Sequence, residues 1–169
     1  MAIRDILTYP HPVLNKEADP VTMTDENVSD IIADMHETLT HITGLGLAAP
    51  QIGVSKRIIL YDDLSVKGAH NFVALFNPEI IETDGFYLSE EEGCLSVPGL
   101  RETVDRFQKI RVVGLDKDLQ TVDFIAEDFL AVILQHEIDH LNGILFLDYI
   151  SPLKRNMYRK KIGKQRKQT

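Results

Sequence analysis

Glu127-Asp128-Phe129-Leu130-Ala131-Val132-Ile133-Leu134-Gln135-His136-Glu137-Ile138-Asp139-His140-Leu141-Asn142-Gly143 is the stretch on which the architecture turns. Its two leading acids complement the positive end of a helix dipole, and Gly143 supplies a natural stop. Between them the first half is apolar almost all round, which predicts a buried, central helix rather than a surface one. Working outward, Val28, Ile31, Ile32, Met35, Leu39 and Ile42 recur at helical spacing, so residues 26 to 42 predict an N-terminal helix that Gly44 ends. Short β-like runs follow at Arg57 to Tyr61, Asn71 to Phe76, Glu79 to Glu82, Ile110 to Leu115 and Thr121 to Ile125. No helices alternate with them, which argues against a parallel, doubly wound sheet. Ser151-Pro152 opens a last helix, with proline at its first position. The expected fold is α+β: antiparallel sheets packed around a central buried helix, with an N-terminal and a C-terminal helix.

The chain has 169 residues, a length that suits one domain, and no repeat or low-complexity linker divides residues 1–169. Met1-Ala2-Ile3-Arg4-Asp5-Ile6 does not read as a signal peptide, and the longest aliphatic stretches are too short to cross a bilayer. The expectation is a cytoplasmic protein without a membrane partner. Charge is uneven. Eight of the 18 basic residues fall in 152–169, where there is no acid, leaving ten basic against 26 acidic residues, or −16, elsewhere. A basic tail on an acidic body suits an anionic partner; the plainer reading is a solvated terminal helix.

His136-Glu137-Ile138-Asp139-His140 is an H-E-x-x-H pattern. On a helix its two imidazoles lie one turn apart on one face, close enough to share a metal ion. Glu137 is rotated by about 100° from His136, which sets its carboxylate beside the place of a bound water. A divalent metal lowers the pKa of such a water from about 16 to about 7, and a carboxylate can take the proton. The plainer reading, two solvated histidines, fits poorly, because unpaired polar groups on an apolar helix are costly. A third ligand is open between Asp148, past the helix stop, and Cys94, the only cysteine. A lone cysteine is usually a small buried apolar residue, but a thiolate is a good transition-metal ligand and Gly93 lets the chain turn closely there.

Three segments resemble the motifs of peptide deformylases, in the family's order. Gly44-Leu45-Gly46-Leu47-Ala48-Ala49-Pro50-Gln51 is similar to G-x-G-x-A-A-x-Q, Glu92-Gly93-Cys94-Leu95-Ser96 to E-G-C-L-S, and Gln135-His136-Glu137-Ile138-Asp139-His140-Leu141 to Q-H-E-x-D-H-L. The resemblance implies that Cys94, His136 and His140 bind one divalent metal, with water in the fourth position. It favours Fe(II) in the cell, with Zn, Ni or Co as substitutes. It implies Glu137 as general base and later proton donor, and the Gln51 amide and Leu95 N–H as oxyanion donors. Gly46 would bond the extended substrate. The reaction implied is removal of the formyl group from N-formylmethionine of nascent polypeptides, releasing formate.

A methionine side chain needs an apolar pocket, and Phe129, Val132 and Ile133 lie one to two turns before His136. Their plainer reading is core. Asp128-Phe129 stands where many family members have Gly-Leu, and Glu90 where many are apolar, so the pocket is expected to differ in width and polarity. Two supporting contacts are also expected: Glu92 with a ligating imidazole, and Arg106 with Asp139. His11, His36, His41 and His70 are expected to be ordinary surface or loop residues. The basic tail, with Lys160, Lys161, Lys164 and Arg166 as candidate phosphate contacts, suits docking on the ribosome. Two rival readings remain: a zinc endopeptidase on the same helix, and a metal-stabilised ribosome- or RNA-binding module. Gly44-x-Gly46-x-x-Ala49 is not a dinucleotide fingerprint, since it follows a helix rather than a strand.

Overall fold

The computed structural model describes residues 2–165. Its helices are α1 (Val28–Ile42), α2 (Asp128–Leu141) and α3 (Pro152–Gln165). Its strands are β1 (Gly46–Ala48), β2 (Ile58–Asp62), β3 (Phe72–Asp84), β4 (Tyr87–Cys94), β5 (Val97–Arg106), β6 (Lys109–Leu115) and β7 (Thr121–Glu127). All pairings between these strands are antiparallel. Five strands form one sheet in the order β1-β2-β3-β6-β7, and β4 and β5 form a separate hairpin.

The sequence Ile58-Ile59-Leu60-Tyr61 has no polar alternation because β2 is buried on both faces. Successive side chains point to opposite faces of a strand. Ile58 and Leu60 therefore pack with Met35 and Leu39 of α1, while Ile59 and Tyr61 pack with Ile133, Leu134, Ile138 and Leu141 of α2. The sheet is thus a shared wall between two helices. Burying a leucine or isoleucine side chain in this way contributes about 1.5–3 kcal/mol. α2 is buried from Ala131 through Leu141 except at His136 and Asp139, which are half-buried. A third apolar cluster joins Val97 and Val104 of β5 to Leu145, Phe146, Leu147 and Tyr158, and ties α3 to the hairpin.

Several boundaries differ from the sequence expectation, each for a local reason. α1 ends on Thr43, which itself takes the left-handed conformation (φ 56°) expected of Gly44. Asn71 to Phe76 and Glu79 to Glu82 belong to one strand, β3, whose pairing with β6 is interrupted by irregularities rather than by a turn. β1, β4 and β5 carry no clear alternation, so periodicity does not predict them as strands. Gly143 does follow the end of α2, in the left-handed region, and a Cβ there would lie 2.8 Å from the Asn15 carbonyl carbon. Among the expected surface histidines, His70 Nδ1 pairs with the buried Asp62 at 2.6 Å, and His11 Nδ1 accepts from Val13 N. No helix among the described residues is long and apolar enough to cross a membrane.

Candidate metal centre

Helical geometry sets the first two groups. His136 and His140, one turn apart on α2, have ring centroids 5.1 Å apart. The third arrives from the hairpin: Cys94 ends β4, pairs with Val97 across the turn, and brings Sγ to 3.2 Å from His140 Nε2. The thiol and both imidazoles each offer a ligand atom within 4.8 Å of the others. Asp148 is elsewhere: its Oδ2 accepts from Leu145 N at 3.0 Å and caps the one-turn helix Phe146–Asp148.

The electrostatics favour anionic sulfur. Burial alone would raise the Cys94 thiol, but His140 and His136 outweigh it and bring it down to about 5. Burial disfavours a charged His136, and the neighbouring Cys94 sulfur more than reverses this, raising its pKa. His136 Nδ1 lies 2.8 Å from Glu92 Oε1, so a proton on Nδ1 leaves the Nε2 lone pair free for a cation. Glu92, despite its burial, is held down to about 2 by hydrogen bonds from His136 and Arg106. Arg106 grips both Glu92 oxygens, Nε to Oε2 at 3.1 Å and Nη2 to Oε1 at 2.6 Å, and reaches Asp139 Oδ2 through Nη1 at 2.6 Å. Tyr149 donates to Asp139 Oδ1 at 3.1 Å. Burial pushes its phenol up to about 12, so it remains a donor at neutral pH.

A thiolate and two imidazoles converging from helix and hairpin make a donor set suited to a divalent transition metal. Among the described residues, this is the one cluster of three such groups. A closed structural site would require a fourth protein ligand. Glu137, next to His136, has a buried Oε2 with no hydrogen-bond partner among the described residues. Its burial raises the carboxyl to about 7, against the opposing pull of His136 and His140.

Gln51 enters from the one-turn helix Ala49–Ile52 and is almost fully buried. Its Oε1 accepts from Ala48 N at 2.8 Å, and its Nε2 lies 3.2 Å from Ser96 Oγ and 3.7 Å from Cys94 Sγ. The amide is fixed with its donor end at the cluster. A cleft of about 860 Å³ opens here, and Gly46, Gln51, Cys94, Leu95, His136 and Glu137 line it. Phe129, Val132 and Ile133 form its apolar side; Val132 and Ile133 are buried, whereas Phe129 is 46% exposed at the mouth. Glu90 lies exposed on the rim, so the wall carries a charge there. His140 is buried and does not line the cleft.

Gly46 is expected from sequence to act as a backbone donor, and the structure adds a steric role. A Cβ at Gly46 would collide with Glu137, lying 2.8 Å from its Cγ and Cδ. Ser96, fully buried against Gln51, has no role of its own in the sequence reading of its motif. Gln135 clamps the turn between β5 and β6: its Oε1 accepts from Phe107 N and its Nε2 donates to Phe107 O, both at 2.9 Å. A glutamine one residue before the motif histidine is the only signal in the sequence for that contact.

Residues 3–156 match the family model described as polypeptide deformylase. The chain is 47% identical over 165 residues to a peptide deformylase of Desulfotalea psychrophila, covering 97% of each chain. It is 46% identical over 168 residues to one of Pseudomonas aeruginosa, covering 99% of each. The crystal structure of a peptide deformylase from Legionella pneumophila superposes with a TM-score of 0.88 at 46% identity, covering 98% of this chain and 96% of that one. Agreement in sequence and in backbone over nearly the whole length leaves one assignment, and the chain belongs to the polypeptide deformylase family.

Proposed function

We propose that this peptide deformylase works through Cys94, His136 and His140 as ligands of one divalent cation and through Glu137 as its proton carrier. The observation that carries the reading is the convergence of a low-pKa thiol and two imidazoles beside a buried carboxylate oxygen with no other partner among the described residues. When bound by these three residues, a divalent cation would supply Lewis-acid chemistry to the substrate carbonyl and to water at neutral pH.

The chain's own residues do the rest. Glu137 Oε2 takes a proton from the attacking water and returns it to the methionine nitrogen as the formyl carbon–nitrogen bond breaks, so formate and a free amine leave. Its burial favours the protonated form, which helps it hold the proton until the nitrogen takes it. The Gln51 amide and the Leu95 N–H stabilise the oxyanion that develops on the formyl oxygen. Gly46 bonds the extended peptide, and Phe129, Val132 and Ile133 receive the methionine side chain. Gly46 and Gly93 line the cleft beside these groups without adding side-chain bulk, which suits a formyl carbon that bears only hydrogen.

Iron(II) is the metal we favour in the cell, with zinc, nickel or cobalt as substitutes, since such a donor set accepts all four and availability decides. Residues 1–169 act as one catalytic domain built about α2, whose buried face makes it the central scaffold. The setting is the cytoplasm. Lys160, Lys161 and Lys164 are placed on α3 and supply phosphate contacts for docking on the ribosome. Arg166, proposed with them, lies outside the described residues.

Formate release from a formyl-methionyl peptide, with the unformylated peptide as control, tests the reaction. Glu137→Ala should retain metal and lose activity; loss of both together would assign Glu137 to the scaffold. Cleavage of internal peptide bonds, with indifference to the formyl group, would instead favour an endopeptidase. Full-length similarity to deformylases favours neither that reading nor a non-enzymatic RNA-binding module.

A further inference from the structure

Arg106 is the hinge of the support behind His136. Its side chain is only 3% exposed, and three of its donors are committed to Glu92 and Asp139. Glu92 Oε1 is shared: it accepts from Arg106 Nη2 and faces His136 Nδ1. Any rotation of the guanidinium therefore moves the acceptor that fixes the imidazole. Hydrogen bonds hold the guanidinium in its own plane but leave its two faces to other contacts. Tyr149 covers one of them.

Tyr149 lies between the one-turn helix Phe146–Asp148 and α3, with its ring centroid 4.7 Å from Arg106 Cζ. Its hydroxyl donates to Asp139 Oδ1, the oxygen that Arg106 leaves free. One side chain thus caps the cation through its ring and braces the cation's second carboxylate through its hydroxyl. The residue is itself 49% exposed, so it forms the boundary between this buried network and water. A ring stacked on a guanidinium attracts it and excludes solvent from that face.

We propose that Tyr149 is a positioning residue for the metal centre. By shielding Arg106 it holds Glu92 Oε1 against His136 Nδ1, keeps the His136 proton on Nδ1, and so keeps Nε2 available as a ligand. The inference rests on the reading of Cys94, His136 and His140 as metal ligands. Groups that orient a ligating imidazole commonly govern how firmly the metal is held.

The test uses the full chain loaded with zinc, as the parent, Tyr149→Phe and Tyr149→Ala. Zinc release is followed with an excess of chromogenic chelator, and the His136 Nδ1 proton by NMR of 15N-histidine-labelled protein. Tyr149→Ala should release zinc about tenfold faster and show faster exchange of that proton with water. Tyr149→Phe, which keeps the ring over Arg106 and loses only the bond to Asp139 Oδ1, should release zinc more slowly than Tyr149→Ala; release as fast as in the alanine variant would overturn the shielding role of the ring. Because the site is half-exposed, both variants should fold; Tyr149→Leu is the reserve if the alanine does not. A lowered melting temperature with parental zinc release and a protected Nδ1 proton would overturn the proposal and leave a merely structural tyrosine. If the parent itself takes up no zinc, the ligand assignment fails and the proposal with it.

Discussion

Gly46 and Glu137 are in such close contact that the backbone of one limits the side chain of the other. A methyl group on the Gly46 α carbon would lie 2.8 Å from Glu137 Cγ and Cδ, well inside van der Waals distance. β1 therefore acts as a stop against which the carboxylate rests. Gly46→Ala should displace Glu137 while leaving Cys94, His136 and His140 in place. A displacement of about 1 Å at a reacting group costs on the order of 100-fold in rate. The check is kcat/KM for a formyl-methionyl peptide beside metal content, with the rate falling and the metal retained.

On the proposed mechanism Gln51 has two duties, oxyanion donor and acceptor for Ala48 N–H, that one variant can separate. Gln51→Ala should lower kcat by about 100- to 1,000-fold, the usual loss for one oxyanion donor, with little change in KM. It also strands the buried Ala48 N–H, which now bonds Gln51 Oε1, at about 1–3 kcal/mol in stability. Gln51→Glu should keep that acceptor while losing the amide donor. Steady-state kinetics together with denaturant melts would reveal both effects.

Glu92→Ala should be harsher than its distance from the cleft mouth suggests. Arg106 would stay buried with only Asp139 as carboxylate partner, a kind of loss that typically costs about 3–5 kcal/mol. His136 would lose its Nδ1 acceptor, and metal affinity should fall about 10- to 100-fold. Parental metal content in a folded Glu92→Ala protein would contradict this.

Acid should loosen the N-terminal segment at Asp34. Arg4 Nε, then Ala2 N–H, hydrogen-bond the Asp34 carboxylate at 2.8 and 2.7 Å and hold its pKa below the ordinary 3.8. A depressed carboxyl contributes stability that is present above 3.8 and lost as pH falls through the lower folded value. Arg4 N also bonds Thr38 Oγ1, so part of the attachment survives protonation. An NMR titration should show the Ala2 and Arg4 signals moving below about pH 4, and Asp34→Asn should remove that acid-dependent change.

α1, α2 and the inner strands are legible in the sequence because periodicity records burial directly. Ile58 to Tyr61 declares itself by lacking alternation, and the H-E-x-x-H spacing fixes two rings on one face whatever surrounds them. The β4–β5 hairpin leaves no such trace. Glu90, Glu91 and Glu92 are consecutive acids, and Glu91 sits in a bulge at φ 56°. The inward carboxylate of Glu92 is stabilised by Arg106 rather than by apolar burial. Without that partner the segment reads as solvated loop, so residue chemistry favours Cys94 as third ligand while spacing alone leaves Asp148 in contention. Tyr149 and Ser96 escape the sequence for a similar reason: each acts only on neighbours that the fold delivers.

Cys94 belongs to a two-stranded hairpin that shares no ladder with the five-stranded sheet, whereas His136 and His140 belong to the helix packed on that sheet. A cation held by all three would rivet two halves of the molecule whose strands never pair. Chelation would then do more than silence chemistry: it would let the hairpin breathe independently, so that hydrogen exchange in β4 and β5 would quicken while β2 and β3 stayed protected.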